Sequence, residues 1–235
     1  PPARPAAAQD SRGTGSTVAA RGGSRTLSSL RHPNYRLLWF GTLISHSGDW
    51  MDQLALNWLV LELTGSPFYL GMVNLFRAIP ILLFTLIGGV AADRVERRRL
   101  MMATQGFAML LAFALALLTS SGHINIWLIF VIAALRGTMM SFKLPARQTL
   151  ISHLVPRRDL PNAIALNSMT MNLTRIIGPS LAGVLITVIG VAGCFYLNAL
   201  SFLAVLWTLH AMRIPPRERP PAGETVLGSL ASGLR

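Results

Sequence analysis

Long apolar stretches, separated by short polar connections, make up most of this chain. Each stretch is about as long as the ~20 residues that an α-helix needs to cross ~30 Å of hydrocarbon. The pattern therefore predicts an all-α membrane protein with a six-helix transmembrane bundle. The expected helices cover residues 37–61, 68–92, 100–118, 125–142, 162–189 and 194–212.

Composition supports a membrane protein over a soluble one. Only 13% of the residues are charged, against about 25% in an ordinary soluble domain. The net charge is +12, but the basic residues lie in tails and in connections next to apolar helices, so we expect a lipid bilayer as the partner and no nucleic acid. The single cysteine, Cys194, excludes an internal disulfide.

The connections alternate in charge along the chain. Those at residues 63–67, 119–124 and 190–193 hold no lysine or arginine, whereas the others and both ends are rich in arginine. Basic residues near helix ends stay on the cytoplasmic side, so the pattern predicts a multi-pass protein of a bacterial inner membrane with both termini in the cytoplasm.

The polar ends predict the domain organisation. Residues 1–34 lack periodicity and are expected to form a disordered basic cytoplasmic tail. The bundle is expected over residues 35–213, and residues 214–235 are expected to begin a cytoplasmic linker. Because the sequence starts without methionine and stops in a linker, we expect a piece of a longer protein.

Polar residues recur along one face of the first predicted helix, where lipid should forbid them. A carboxylate at mid-membrane costs about 2.5–3.5 kcal/mol on insertion scales. The carboxylates must therefore face a wet cavity or a basic partner, or be protonated. The members chosen as pathway candidates are Asp49, Asp52, Gln53 and Asn57.

Basic partners are available on other helices. Arg77, Arg136 and Arg175 lie within predicted spans, and Asn172 lies one turn before Arg175. We expect this set to converge at mid-depth between helices 1, 2, 4 and 5 as a substrate and proton pathway. The alternative is a set of buried pairs that only holds the bundle together.

Two further motifs stand out. The basic turn after the second helix contains Gly89, Asp93, Arg94, Arg97 and Arg98. The fifth helix carries a proline among small residues, which is either a static packing notch or a flexing seam; its members are Gly178, Pro179 and Gly183.

These residues resemble motifs of the major facilitator superfamily. Gly89-x-x-x-Asp93-Arg94-x-x-Arg97-Arg98 is similar to the signature loop of that superfamily, Arg136 to its intramembrane arginine in helix 4, and Gly178-Pro179-x-x-Ala182-Gly183 to its helix-5 antiporter motif. The resemblance implies the N-terminal half of a 12-helix fold with a 3+3 inverted repeat. It also implies that the loop residues form a cytoplasmic gating latch.

Shorter matches point to one branch of the superfamily. Gly48-Asp49-Trp50-Met51 and Leu144-Pro145-Ala146-Arg147 resemble the branch that includes enterobactin exporters and macrolide-type drug efflux pumps. The resemblance implies proton-coupled efflux of small organic molecules such as drugs or siderophores. A missing six-helix half, or a second copy of this chain, would then be a partner.

Other functions stay open at this point. The same fold could belong to an importer, or to a membrane sensor or scaffold that transports nothing. We expect no enzymatic activity, no catalytic residue, no metal and no cofactor, with the proton gradient as the energy source.

Overall fold

The computed structural model describes residues 28–212, apart from the side chains of Val90, Ala92, Asp93, Arg94 and Arg97. Of the predicted tail at residues 1–34, residues 1–27 lie outside the described residues, as does the predicted linker at 214–235. Within the described part, one short 3-10 turn and five α-helices form the fold. They are η1 (Ser28–Arg31), α1 (Pro33–Thr64), α2 (Pro67–Arg94), α3 (Arg97–Ser120), α4 (Ile126–Leu154) and α5 (Leu160–Ala211).

Local sequence explains where several helices begin. Pro33 and Pro67 occupy the first turns of α1 and α2, where a missing N–H costs nothing and the fixed φ suits the helix. Asn125 caps α4, because its side chain accepts a hydrogen bond from the backbone N–H of Leu128 at 2.9 Å. Pro67 and Asn125 thus follow the short α1–α2 and α3–α4 connections, whereas Pro33 follows η1.

The last helix is interrupted at Gly190. This residue has φ 72° and ψ 175°, a conformation that glycine adopts without steric cost. A straight 52-residue helix would be about 78 Å long, more than twice the hydrocarbon thickness. The interruption divides α5 into a first arm before Gly190 and a second arm after it.

The two arms of α5 run in opposite directions along α1. The Tyr35 hydroxyl donates to the Ala163 carbonyl at 2.9 Å, and further along both segments Gly178 packs against the Trp50 region. The first arm is therefore parallel to α1.

The second arm is antiparallel to α1. Gly41 packs against Thr208, whereas Gly48, further along α1, packs against Asn198. The described residues form five α-helices, so the count of six separate helices stays a prediction. The break expected at residues 190–193 falls at Gly190, and helical backbone resumes directly on both sides of this single glycine.

One correction concerns α4. The sequence predicted an end at Phe142, but the helix continues to Leu154 with Pro145 inside it. The extension places Lys143 and Arg147 within a helix rather than in a loop. Both are buried, at 8% and 6% exposure.

Two apolar clusters form the core, one toward each end of the bundle. The first gathers Tyr35 and Leu38 of α1 with Ala146 of α4 and Phe202 of α5. The second, further along α1 and earlier in α4, includes Leu56, Val60, Phe130, Ala133 and Phe195. The stretch of α1 between Leu38 and Leu56 carries the predicted polar stripe, so polar side chains occupy the level between two apolar layers.

The outer surface is apolar, which is the opposite of a soluble protein. Leu82, Phe68, Trp127, Val188 and Trp207 are each more than 60% exposed. Among the described residues, four helices are long and apolar enough to cross a membrane. The more polar α1 is not among those four. This surface is suited to lipid.

Candidate functional site

A cavity of about 300 Å³ occupies the level between the two apolar clusters. It is enclosed mainly by α1, α2 and α4, with contributions from α3 and both arms of α5. Charged and amide side chains share its wall with apolar ones. The lining residues are His46, Asp49, Trp50, Asp52, Gln53, Leu56, Val73, Asn74, Arg77, Ile81, Thr104, Ala108, Ala133, Arg136, Met139, Met140, Lys143, Met171, Asn198 and Phe202.

Asp52 and Arg136 form the most enclosed ion pair at this cavity. The guanidinium binds the carboxylate with both terminal nitrogens, and the Nη2 contact to Oδ1 measures 3.1 Å. The Asp52 side chain is only 3% exposed and that of Arg136 is 20% exposed. A two-pronged pair of this kind fixes both position and orientation, so it ties α1 rigidly to α4.

Asp49 lies one turn earlier on α1 and is more open. Its Oδ2 accepts from Lys143 Nζ at 3.1 Å, and 34% of its side chain is exposed. Lys143 Nζ also lies 5.7 Å from the centre of the Phe202 ring. This second pair again joins α1 to α4, but the ammonium group of Lys143 makes one contact where the guanidinium of Arg136 makes two.

His46 connects Asp49 to a deeper arginine. Its Nδ1 lies 3.5 Å from Asp49 Oδ2, and its Nε2 contacts Nη1 of Arg147. A guanidinium can only donate, so Nε2 must accept and the ring proton must sit on Nδ1, facing Asp49. The contacts therefore fix one neutral tautomer of His46.

Arg147 anchors the end of this polar chain. Its Nη2 donates to Asn167 Oδ1 at 2.6 Å on the first arm of α5, and its Nη1 lies 3.6 Å from the sulfur of Met171. Its Nε has no hydrogen-bond partner in the described structure. A continuous polar path therefore leads away from the cavity. It runs from Asp49 through His46 and Arg147 to Asn167.

Arg77 reaches the cavity from α2. It donates to Gln53 Oε1 and, through Nη2, to Asn74 Oδ1 at 3.3 Å. Gln53 in turn donates to Asn57 Oδ1 at 3.3 Å. Three predicted pathway residues, Arg77, Gln53 and Asn57, therefore form one hydrogen-bonded row.

Two predicted pathway residues lie elsewhere. Asn172 is exposed and its amide donates to its own helix, at the Ser168 carbonyl. Arg175 is also exposed; its guanidinium carbon stacks 5.1 Å from the centre of the Trp50 ring. Neither side chain is among the lining residues of the cavity, although Trp50, the ring on which Arg175 stacks, is one of them.

The predicted gating loop is only partly described. The side chains of Asp93, Arg94 and Arg97 lie outside the described residues. Gly89 has open space around it. Arg98 donates through Nη2 to the His210 carbonyl at 2.7 Å, which ties the start of α3 to the end of α5.

The helix-5 motif divides into two parts. A Cβ on Gly178 would lie 2.8 Å from the Ser47 carbonyl oxygen, so only glycine allows α1 to approach this closely. Gly183 has nothing within 4 Å, and Pro179 lies inside α5 without ending it. Gly178 is therefore a packing residue in this conformation.

Sequence reasoning missed the second half of the charged network. Lys143 and Arg147 follow the predicted fourth helix, which ends at residue 142, so they are not among the predicted pathway residues. Their spacing contained the signal: Arg136, Lys143 and Arg147 follow at steps of seven and four, which places them on one helical face. Extending the helix would have aligned all three.

Comparison with known proteins identifies the family. A family model of transmembrane secretion effectors, a group of major facilitator superfamily transporters, matches residues 24–235. Because the match covers most of the chain, this chain belongs to that transporter family. It is a multi-pass membrane protein of the superfamily.

Individual relatives agree with this assignment. The chain is 35% identical to the staphyloferrin A transporter of Staphylococcus aureus over 69% of its own length and 41% of the relative. It is 28% identical to the multidrug efflux pump Tap of Mycolicibacterium fortuitum over 85% of its length and 51% of the relative. The chain thus spans about half the length of these relatives.

Proposed function

We propose that this chain forms the N-terminal half of a proton-coupled exporter of small organic molecules. The observation that carries the proposal is Asp49, a carboxylate at a cavity inside an apolar bundle. It is open enough for water to reach it, and it is paired with a cation on another helix. The names of the two relatives, a staphyloferrin A transporter and a multidrug efflux pump, support a small organic cargo.

The proposed transport cycle is alternating access. The chain would cross the membrane six times, with the two arms of α5 as the last two crossings and a 3+3 inverted repeat within the half. A second six-helix unit, from the rest of the protein or from a second copy, would close the cavity on its open side. Rocking of the two units would then expose the cavity to each side in turn.

Protonation of Asp49 would couple this motion to the gradient. When ionised, the carboxylate holds Lys143 of α4 and faces the His46 proton. When Asp49 is protonated, the attraction to Lys143 weakens, and α1 loses a contact to α4 that cargo can replace. The better enclosed Asp52–Arg136 pair stays intact and holds the same helices together through the cycle.

The proposed setting is the bacterial inner membrane, with both termini in the cytoplasm. Arginines cluster at the ends of the helices where α1 starts, α4 gives way to α5, and α5 ends. Contacts join these ends: His32 Nε2 lies 3.1 Å from Asp159 Oδ2, and Arg98 binds the His210 carbonyl. The positive-inside rule assigns such an end to the cytoplasm.

A pH-jump assay tests this function. The complete gene product would be reconstituted in vesicles, preloaded with either the cationic dye ethidium or the anionic dye carboxyfluorescein, and given a proton gradient of either sign. An antiporter accelerates dye exit only when protons run inward against it. Equal rates with and without the gradient for both dyes would contradict the proposal, and dye entry driven by inward protons would indicate an importer.

A further inference from the structure

The charges at the cavity do not balance. Three cationic side chains line it, Arg77, Arg136 and Lys143, against two carboxylates, Asp49 and Asp52. Arg136 and Lys143 each have one carboxylate. Arg77 has none within ion-pair distance in the described structure, so it is the unmatched charge.

Neutral groups hold Arg77 in place without neutralising it. Gln53 and Asn74 each accept one hydrogen bond from it. The Gln53 side-chain nitrogen donates to Asn57, so the Gln53 side-chain oxygen faces the guanidinium of Arg77. A guanidinium carries five N–H donors, so three of those of Arg77 remain free for a further acceptor.

An unmatched cation is costly at this depth. An arginine inside a membrane bundle is costly when no opposite charge is near it, and amide acceptors supply no opposite charge. An anionic ligand would remove that cost. The fork of a guanidinium matches a carboxylate with two parallel hydrogen bonds.

The surroundings of Arg77 define the rest of the ligand. Trp50, Leu56, Val73 and Ile81 line the same cavity, and these side chains would contact an apolar body. Asn74 is exposed, so the Arg77 row lies at the cavity mouth, where a ligand can enter. The wall thus fits an amphipathic molecule with its anionic group at Arg77.

We propose that Arg77 is the anion-binding group for a carboxylate carried by an amphipathic cargo. This assignment rests on the proposed transport function, because it makes the cavity the cargo site. A carboxylate could also come from a side chain of the protein beyond the described residues. The two sources share one chemistry, and the experiment separates them.

The test compares two ligands of the same shape. The purified complete gene product would be titrated by calorimetry with 2-naphthoate and with 2-naphthamide at neutral pH, where only the first is charged. If Arg77 forms a charge-assisted pair with the carboxylate, naphthoate should bind at least about tenfold more tightly than naphthamide. Arg77→Gln should erase this preference and leave the affinity for naphthamide unchanged.

Two further variants make the result interpretable. Arg77→Lys keeps the charge without the fork, so it should retain part of the preference, and it serves if Arg77→Gln does not fold. Arg157→Gln removes an exposed arginine from the connection between α4 and α5, so the preference should remain complete. Loss of preference in this control would assign the effect to overall charge and overturn the proposal.

Other outcomes would also overturn it. Equal affinity of the unmodified protein for both ligands would mean that Arg77 is neutralised by a side chain of the protein. Absence of binding by both would remove the cargo site from this cavity. Neither result bears on gradient-driven dye exit from vesicles, so that assay tests the transport function independently.

Discussion

Asp49 and Asp52 lie one helical turn apart on α1, yet they occupy different environments. The Asp52 side chain is 3% exposed and is held by both prongs of Arg136. The Asp49 side chain is 34% exposed and is held by a single lysine contact. A closed pair suits a structural tie between helices, whereas an open pair can exchange a proton. Partner type and water access, rather than spacing along α1, therefore distinguish the two acids.

The largest effect is expected from breaking the closed pair. Asp52→Asn leaves the Arg136 charge buried without a counter-ion, which costs about 3–5 kcal/mol for a buried pair. The measurement is the free energy of unfolding in detergent by denaturant titration. Transport should fall with the folded fraction.

A double variant separates lost pairing from lost packing. Asp52→Asn combined with Arg136→Gln removes both charges, so it should recover most of the stability lost in the single variant. If the single variant were as stable as the unmodified protein, the description of Asp52 as a structural tie would be wrong.

A smaller effect is expected from exchanging the two kinds of cation. Arg136→Lys keeps the charge but loses one prong of the fork, which should cost about 1–2 kcal/mol. Lys143→Arg offers a larger donor to a half-open carboxylate and should change stability by less than about 1 kcal/mol. Thermal unfolding of both variants side by side is the measurement. Equal losses would mean that the two pairs do not differ in geometry.

Asp49→Asn should alter stability by only about 1 kcal/mol, because its pair is partly solvated. Its effect on coupling should be much larger than its effect on folding. The measurement is denaturant unfolding of Asp49→Asn next to Asp52→Asn. A loss for Asp49→Asn as large as that for Asp52→Asn would remove the distinction between the two acids.

The smallest effect is expected at an acid outside the membrane-spanning helices. A hydrogen bond from His32 lowers the pKa of the Asp159 carboxyl below its usual value. A lowered pKa means that the ionised form contributes stability above the usual carboxyl pKa, and that this contribution is lost as the pH falls through the lower folded value. Asp159→Asn should therefore shift the melting temperature by about 2 °C or less at neutral pH, with no difference at strongly acidic pH. A larger shift at acidic than at neutral pH would contradict this sign.

Much of this architecture could be predicted from sequence. The apolar stretches predicted an all-helical membrane bundle, because hydrocarbon forces backbone groups into helices. The polar stripe on α1 and the contact of Asp52 with Arg136 were also predictable from the sequence, since lipid rejects charges that face it. The break in the last apolar stretch was also predicted, because the connection expected at residues 190–193 coincides with the interruption of α5 at Gly190.

The errors came from side chains whose direction depends on tertiary packing. Lys143 and Arg147 looked like loop residues because charge usually ends a span, yet they turn inward within an extended α4. Arg175 looked like a cavity residue because it is charged at mid-span, yet it is not among the lining residues and stacks on the ring of one of them, Trp50. Hydropathy gives the position of a charge along a helix, and only the packing of neighbours gives its direction.

The most direct test of the central claim is gradient-driven exit of ethidium or carboxyfluorescein, whichever dye the unmodified protein exports, from vesicles that contain the complete gene product. The unmodified protein, Asp49→Asn and Asp52→Asn are compared at equal folded amounts. The account predicts that Asp49→Asn loses the acceleration by an inward proton gradient while folded protein still exchanges the dye, and that folded Asp52→Asn keeps the acceleration. Full gradient dependence in Asp49→Asn would contradict it.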